Sequence, residues 1–402
     1  MKPPEIDVLP DTVVKGFRFG ATAAGIRKDG RQDLALVVAD ADCVTAGVLT
    51  RNLVRAAPVE LMARRLVRQR ARALLVNSGC ANACTGDAGM QAALDSCAHV
   101  ASALEIPAEM MLAASTGVIG ALLPVDKVRA AVPALVKSLS PTGWDAFARA
   151  IMTTDRWPKV AHRLLPDSYG RSSLLCIAKG AGMIHPDMGP PQATMLAFAF
   201  TDAVMDGHAL SKSLHAAVDT TFNACSVDGD TSTNDCAVLL ASGASGHTPS
   251  STAFTSALES AFDELARSMV ADGEGAEHLA EIRVQGLDNE ADARTVARTI
   301  ATSLLVKTAL FGQDINWGRI LGAAGRAGVR FDPAQVNLWV GDVQIVSNGV
   351  GVGAEAEKAA NAILTQDAYV VTLELGQGSC GFRYLTSDLG HGYVDVNAGY
   401  RS

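Results

Sequence analysis

The stretch VNLWVGDVQIV, residues 336–346, decides the fold class. Two short apolar runs flank Gly341-Asp342, and a two-residue connection with glycine at its first position suits a tight hairpin turn of the II′ kind. Strands joined that closely run antiparallel, which argues against a doubly wound parallel sheet. Working outward, other apolar runs of strand length lie at Tyr369 to Leu375, Ala73 to Val76 and Leu34 to Val38. They alternate with three helical patterns. One runs from Gly89 to Leu104, one from Ser251 (a candidate N-cap) to Ala271 with Gly273 just beyond, and one from Ala291 to Phe311, stopped by Gly312. The chain therefore reads as α/β or α+β.

A chain of 402 residues exceeds the roughly 250–300 residues at which a single core stops growing, so more than one layer or lobe is expected. The composition is 49% hydrophobic, 19% charged and 5% aromatic, which fits a globular enzyme and excludes a disordered or fibrous protein. A formal charge of −8 without any basic block leaves no electrostatic footprint for nucleic acid or anionic lipid. No stretch approaches the roughly 20 apolar residues of a membrane span. The opening MKPPEIDVLP carries acids and prolines where a signal peptide needs an apolar run, so the expected compartment is the cytoplasm. Eight cysteines are scattered without a C-x-x-C pair and read as reduced core residues. Neither they nor the eight histidines have the spacing of a metal site, so none is expected.

The one Pro-dense interruption, Asp187-Met-Gly-Pro-Pro-Gln192, lies mid-chain and is followed by the apolar run that begins at Thr194. A hydroxyl at the start of a strand can attack the carbonyl before it. After the ester hydrolyses, the new α-amine serves as general base to the same oxygen, so one residue supplies nucleophile and base. A threonine opening a strand is more often a strand-edge or turn residue, and spacing alone does not separate the two readings.

The surrounding motifs do. Ala178-Lys179-Gly180-Ala181-Gly182-Met183-Ile184, then Pro186-Asp187-Met188 and Ala193-Thr194-Met195-Leu196, resemble the cleavage signature of the ornithine acetyltransferase (glutamate N-acetyltransferase) family. The resemblance continues upstream through Gly25-Ile26-Arg27, Val76-Asn77-Ser78-Gly79, Asn82-Ala83-Cys84-Thr85-Gly86, Ser115-Thr116-Gly117 and Met152-Thr153-Thr154-Asp155. Downstream it runs through the stretch from Asp228 to Asp235, Asp272-Gly273-Glu274-Gly275, Asp314 to Arg319 and the closing Val396 to Ser402. Ten ordered motifs in one chain are specific where any one would be weak.

The resemblance implies a layered α-β-β-α sandwich with mixed sheets and self-cleavage between Ala193 and Thr194. The products are an N-terminal chain, 1–193, and a C-terminal chain, 194–402, which pair into a heterotetramer with substrate bound where the two chains meet. It implies Thr194 as nucleophile and Thr116 with Gly117 as the oxyanion hole. Lys179 suits a substrate carboxylate and Glu274 a substrate ammonium, with Thr153 or Thr154, Asn397 and Ser402 as further substrate contacts. The implied reaction is a ping-pong transfer of acetyl from N-acetylornithine to glutamate, with no cofactor. Bifunctional relatives also take acetyl-CoA, and nothing in the sequence separates the two kinds.

Two departures stand out. About four residues, Gly189 to Gln192, are inserted beside the bond to be cut, and Cys80 stands where the family commonly has asparagine. The rival functions are a self-processing amidase or aminopeptidase-like hydrolase, an acetyltransferase of a specialised pathway, and an uncleaved, inactive binding protein. Gly349 to Gly353 reads as a plain loop because it lacks the nucleotide-binding fingerprints. His185 reads as incidental, since an N-terminal nucleophile needs no histidine.

Overall fold

The computed structural model describes Met1 and residues 8–167, 170–189 and 195–399. Among the described residues the first ten strands are β1 (Phe17–Thr22), β2 (Leu34–Thr50), β3 (Arg70–Cys80), β4 (Met111–Val118), β5 (Lys159–Asp167), β6 (Gly170–Lys179), β7 (Met188–Gly189), β8 (Leu196–Thr201), β9 (Cys225–Ser226) and β10 (Cys236–Ala241). Six follow: β11 (Leu279–Leu287), β12 (Asn337–Val340), β13 (Val343–Ser347), β14 (Val350–Gly351), β15 (Ala368–Glu374) and β16 (Cys380–Ser387). They form two mixed sheets, each in its own compact unit.

The first unit holds the described chain from Val8 to Asn223 together with Asp230–Leu265. Its sheet runs β4-β3-β2-β10-β8-β6-β5, with β1 and β7 also paired to β2. β8 lies parallel to β10 and antiparallel to β6, which aligns Lys179, Leu196 and Cys236 at one end of three adjacent strands. β8 (LAFAFT) and β10 (CAVLLA) are buried at every position, as expected for central strands covered on both faces. Alternate residues feed two cores. One gathers Phe17, Phe19, Phe147, Phe198 and Phe200, with ring pairs such as Phe19 and Phe200 set edge to face at 5.0 Å. The other packs Leu34, Leu36 and Leu75 against the helices Gly86–Leu104 and Val125–Lys137.

The second unit holds Ala224–Gly229 and the described chain from Ala266 to Gly399. Its sheet runs β14-β13-β12-β15-β11-β16-β9 over a core that includes Ile282, Val284, Val296, Leu338, Val371 and Tyr384. Val340 faces Val343 across the expected hairpin. Gly341 has φ +53 and Asp342 is not in the positive-φ region, the combination a II′ turn requires. The expected chains 1–193 and 194–402 are a covalent division, and the structural units cut the sequence elsewhere: β8 and β10 belong to the sheet built mostly from upstream residues.

Several local expectations change. The pattern from Ala291 to Phe311 is two helices, Glu290–Ala301 and Leu304–Phe311. Ser303 is extended (ψ 114), which ends the first and opens the second. The helix over Ser251–Ala271 is capped by Ser250, whose Oγ accepts from Ala253 N, and not by Ser251. The helix expected from Gly89 begins at Gly86. Within Gly349 to Gly353, Val350–Gly351 pairs with β13, so part of that loop is strand. All eight cysteines are free thiols, but Cys84 is exposed and Cys380 half-buried, so only six are core residues. Among the described residues no helix is long and apolar enough to cross a membrane.

Candidate active site

The strand β4 ends in Ser115-Thr116-Gly117 against the end of β3. A Cβ on Gly117, whose φ is +129, would sit 2.4 Å from the Gly79 carbonyl carbon, so only glycine allows the two backbones to close on each other. Polar side chains fix this corner. Ser115 Oγ donates to Asn77 Oδ1 at 2.6 Å, Asn77 Nδ2 donates to Cys80 O at 2.8 Å, and Asn234 Nδ2 donates to Ala81 O at 2.6 Å and Ser115 O at 2.9 Å. Cys80 has a partner here: its Sγ donates to Ala121 O at 3.2 Å. Burial pushes that thiol's pKa up, so it stays protonated.

Lys179 closes β6 and is buried. Its Nζ donates to Thr153 Oγ1 at 2.9 Å and Thr116 Oγ1 at 3.2 Å, and lies 3.8 Å from Asp155 Oδ2. Asp155 is wholly buried. It accepts from Lys159 Nζ at 2.8 Å, Thr153 N at 3.0 Å and Gly180 N at 2.6 Å. Burial alone would raise its pKa. The charges of Lys159 and Lys179, with the hydrogen bonds, outweigh that and hold the carboxyl well below the usual range. An ammonium has only protons to give, so both threonine oxygens accept from Lys179 and each hydroxyl hydrogen is left to point elsewhere.

The structure thus brings together Thr116, Gly117, Thr153 and Lys179, four of the residues singled out by sequence, with half-buried Thr154 beside them. In the second unit it brings together two more. Asn397 Nδ2 donates to Glu274 Oε2 at 2.9 Å and to Tyr393 O at 3.0 Å. A Cβ on Gly275 (φ +70) would fall 2.1 Å from Tyr393 N, so glycine there lets the start of the helix His391–Gly399 sit against the Glu274 loop. Asp388 ties the same segments, accepting from Glu277 N at 2.9 Å and His278 N at 3.2 Å. Ala193, Thr194, Ser402 and most of the insertion, 190–192, lie outside the described residues. Met188–Gly189 pairs with Leu49 and Thr50 of β2. His185 is buried, and its carbonyl accepts from Thr231 Oγ1.

Three residues at this site carried no role in the sequence reading: Asp155, Lys159 and Asn234. Asp155 and Asn234 fall inside quoted motifs, and Asp155 stands four residues before Lys159, but nothing in the sequence marks any of them as buried. Among the described residues, no three His, Cys, Asp or Glu side chains gather as metal ligands would.

A sequence model of the ArgJ family matches residues 18–402. The chain belongs to the ArgJ family. The arginine biosynthesis bifunctional protein ArgJ of Desulfotalea psychrophila is 47% identical over 97% of this chain and 100% of its own length, and that of Geobacter sulfurreducens is 44% identical over 97% and 100%. Among solved structures, the arginine biosynthesis bifunctional protein ArgJ of Bacillus halodurans is 37% identical. The match covers 50% of this chain and 96% of that one, with a TM-score of 0.48. Ornithine acetyltransferase of Mycobacterium tuberculosis, complexed with ornithine, is 39% identical over 44% of this chain and 94% of that one, with a TM-score of 0.39.

Proposed function

We infer that this chain is the acetyltransferase of arginine biosynthesis that moves acetyl from N-acetylornithine to glutamate through an acetyl ester on Thr194. The observation that carries the reading, beside family membership, is the convergence of Lys179 on Thr116 and Thr153 at the end of the strands next to which Thr194 stands in sequence.

In the first half-reaction, Thr194 Oγ attacks the acetyl carbonyl, its proton passes through the Thr194 α-amine to the departing nitrogen, and ornithine leaves. In the second, the glutamate amine attacks the ester and restores the hydroxyl. Both steps develop an oxyanion. The Thr116 hydroxyl, already accepting from Lys179, is free to turn its hydrogen toward that oxygen, and the Gly117 N–H is the second donor. A donor of this kind is typically worth about 3 kcal/mol in the transition state. Lys179 receives the α-carboxylate shared by both substrates, beside Thr153 and Thr154. Glu274, steadied by Asn397, receives the ornithine ammonium, and Ser402 adds a further contact. Acyl transfer between a hydroxyl and an amine needs no cofactor. Acetyl-CoA is a second acetyl donor in the bifunctional form of the activity.

The same proposal includes maturation between Ala193 and Thr194 into chains 1–193 and 194–402, their assembly as a heterotetramer, and a cytoplasmic setting. Incubating the purified protein with N-acetylornithine and glutamate tests the reading. N-acetylglutamate and ornithine should appear in equal amounts. Release of acetate without N-acetylglutamate would instead identify a hydrolase.

A further inference from the structure

Asp235 is a buried acid beside the nucleophile strand; it closes the motif that begins at Asp228, and the mechanism above gives it no role. It stands one residue before β10, in line with Met195 one residue before β8. The residue is 3% exposed. The carboxyl accepts from the Met195 N–H and from the backbone N–H and hydroxyl of Ser232, and Oδ2 has no partner among the described residues. Leaving a buried carboxylate oxygen unpaired costs stability, so a group kept in that state calls for an explanation beyond packing.

The explanation lies in what Asp235 holds. Met195 has φ +151, a conformation that residues with side chains rarely adopt, and such a backbone persists only where its surroundings impose it. Both of its peptide groups are pinned: the N–H by Asp235, and the carbonyl by Cys236 N at 2.7 Å. The preceding residue, Asn234, reaches the other way, to Ser115 O, immediately before Thr116. The Asp235 carbonyl accepts from Thr50 N at 3.1 Å, and Thr50 Oγ1 donates to Ser232 O at 2.8 Å, which anchors the turn between them to β2. Two consecutive side chains thus grip the strand that follows Thr194 and the strand that carries the oxyanion donors.

We propose that Asp235 is a positioning residue for acyl transfer. Its carboxyl fixes the Met195 peptide, and together with Asn234 it sets the spacing between the nucleophile strand and the oxyanion strand. The proposal rests on the reading of Thr194 as nucleophile. Burial is the leading influence on the carboxyl's protonation and favours the neutral acid; the Lys179 ammonium is the charge that opposes it. A neutral acid in this place can be replaced by asparagine with its acceptor kept.

The test compares Asp235→Asn, Asp235→Ala and Asp235→Leu in the full-length protein, with Thr194→Ala prepared alongside. The readouts are the rate of chain cleavage by intact mass, kcat and KM for N-acetylornithine, and thermal unfolding. A misplacement of about 1 Å costs on the order of a hundredfold in rate, so Ala and Leu should lower both cleavage rate and kcat by at least about thirtyfold with KM within about threefold. Asn should restore kcat to within about fivefold of wild type, because it still accepts from Met195. Unchanged kcat in the Ala or Leu protein overturns the proposal. So does failure of both to fold beside a normal Asn protein, since the carboxyl is then a structural group. If Thr194→Ala itself cleaves and turns over, the nucleophile reading fails, whatever Asp235 does.

Discussion

Two lysines, one in each unit, are buried almost completely, and they are accommodated in opposite ways. Lys159 is 1% exposed and donates to the Asp155 carboxylate at 2.8 Å. Lys307 is 2% exposed, but its neighbours are neutral oxygens. It donates to Thr386 Oγ1 at 2.9 Å, to Ser387 Oγ at 3.2 Å and to the Ser387 carbonyl. Burial pushes its pKa down to about 7, against the more distant pull of Asp388 and Asp228. The comparison teaches where charge is retained. In the first unit a single buried carboxylate serves two ammonium groups, and the second of these, Lys179, reaches the threonines that the mechanism uses. In the second unit an ammonium is held at a point where losing its proton is easy.

Removing the shared carboxylate should have the largest effect. Asp155→Ala strands Lys159 and disturbs Lys179 together, and breaking a buried pair from one side typically costs about 3–5 kcal/mol. Urea unfolding should show that loss, and any protein that remains folded should be impaired in acetyl transfer as well. A stability change within about 1 kcal/mol would mean that the two lysines do not depend on Asp155.

Lys307 predicts a smaller effect with a pH signature. Its pKa is about 7 when folded and 10.5 when free, so between these values the unfolded chain binds more protons and stability rises with pH through this group. Below about 7 both states are protonated and the burial penalty is fully present. Between pH 7 and 10 the contribution is on the order of 3 kcal/mol or less. Lys307→Met should therefore flatten the wild-type rise in unfolding free energy over that range. Parallel curves for the two proteins would show that Lys307 keeps its proton.

The parts of this molecule that sequence makes legible are those with a local cause. The Gly341-Asp342 hairpin is written in two residues, and the apolar runs at β8 and β15 mark strands. β2 is harder to read, because exposed Asp40, Ala41 and Asp42 interrupt its apolar pattern and look like a turn, whereas the structure carries one strand from Leu34 to Thr50 through an irregularity in its pairing with β3. The break at Ser303 was hidden for the opposite reason: helix-compatible residues run on both sides, and the chain turns where Lys307 is drawn into the interior. At the site, Thr116, Thr153 and Lys179 lie far apart in sequence, and their joint role came only from the family motifs. Asp155, Lys159 and Asp235 stayed unread because a charged residue in sequence reads as surface, and only the packed sheet shows that these three are inside.

In the proposed reaction Thr194 is both the point of cleavage and the nucleophile. The most direct test is the intact mass of the purified, active protein, with the N-terminal residue of each species determined. Two chains, the second beginning at Thr194, with Thr194→Ala remaining whole, are the predicted result. A single unbroken species of 41.7 kDa that still transfers acetyl to glutamate would contradict it.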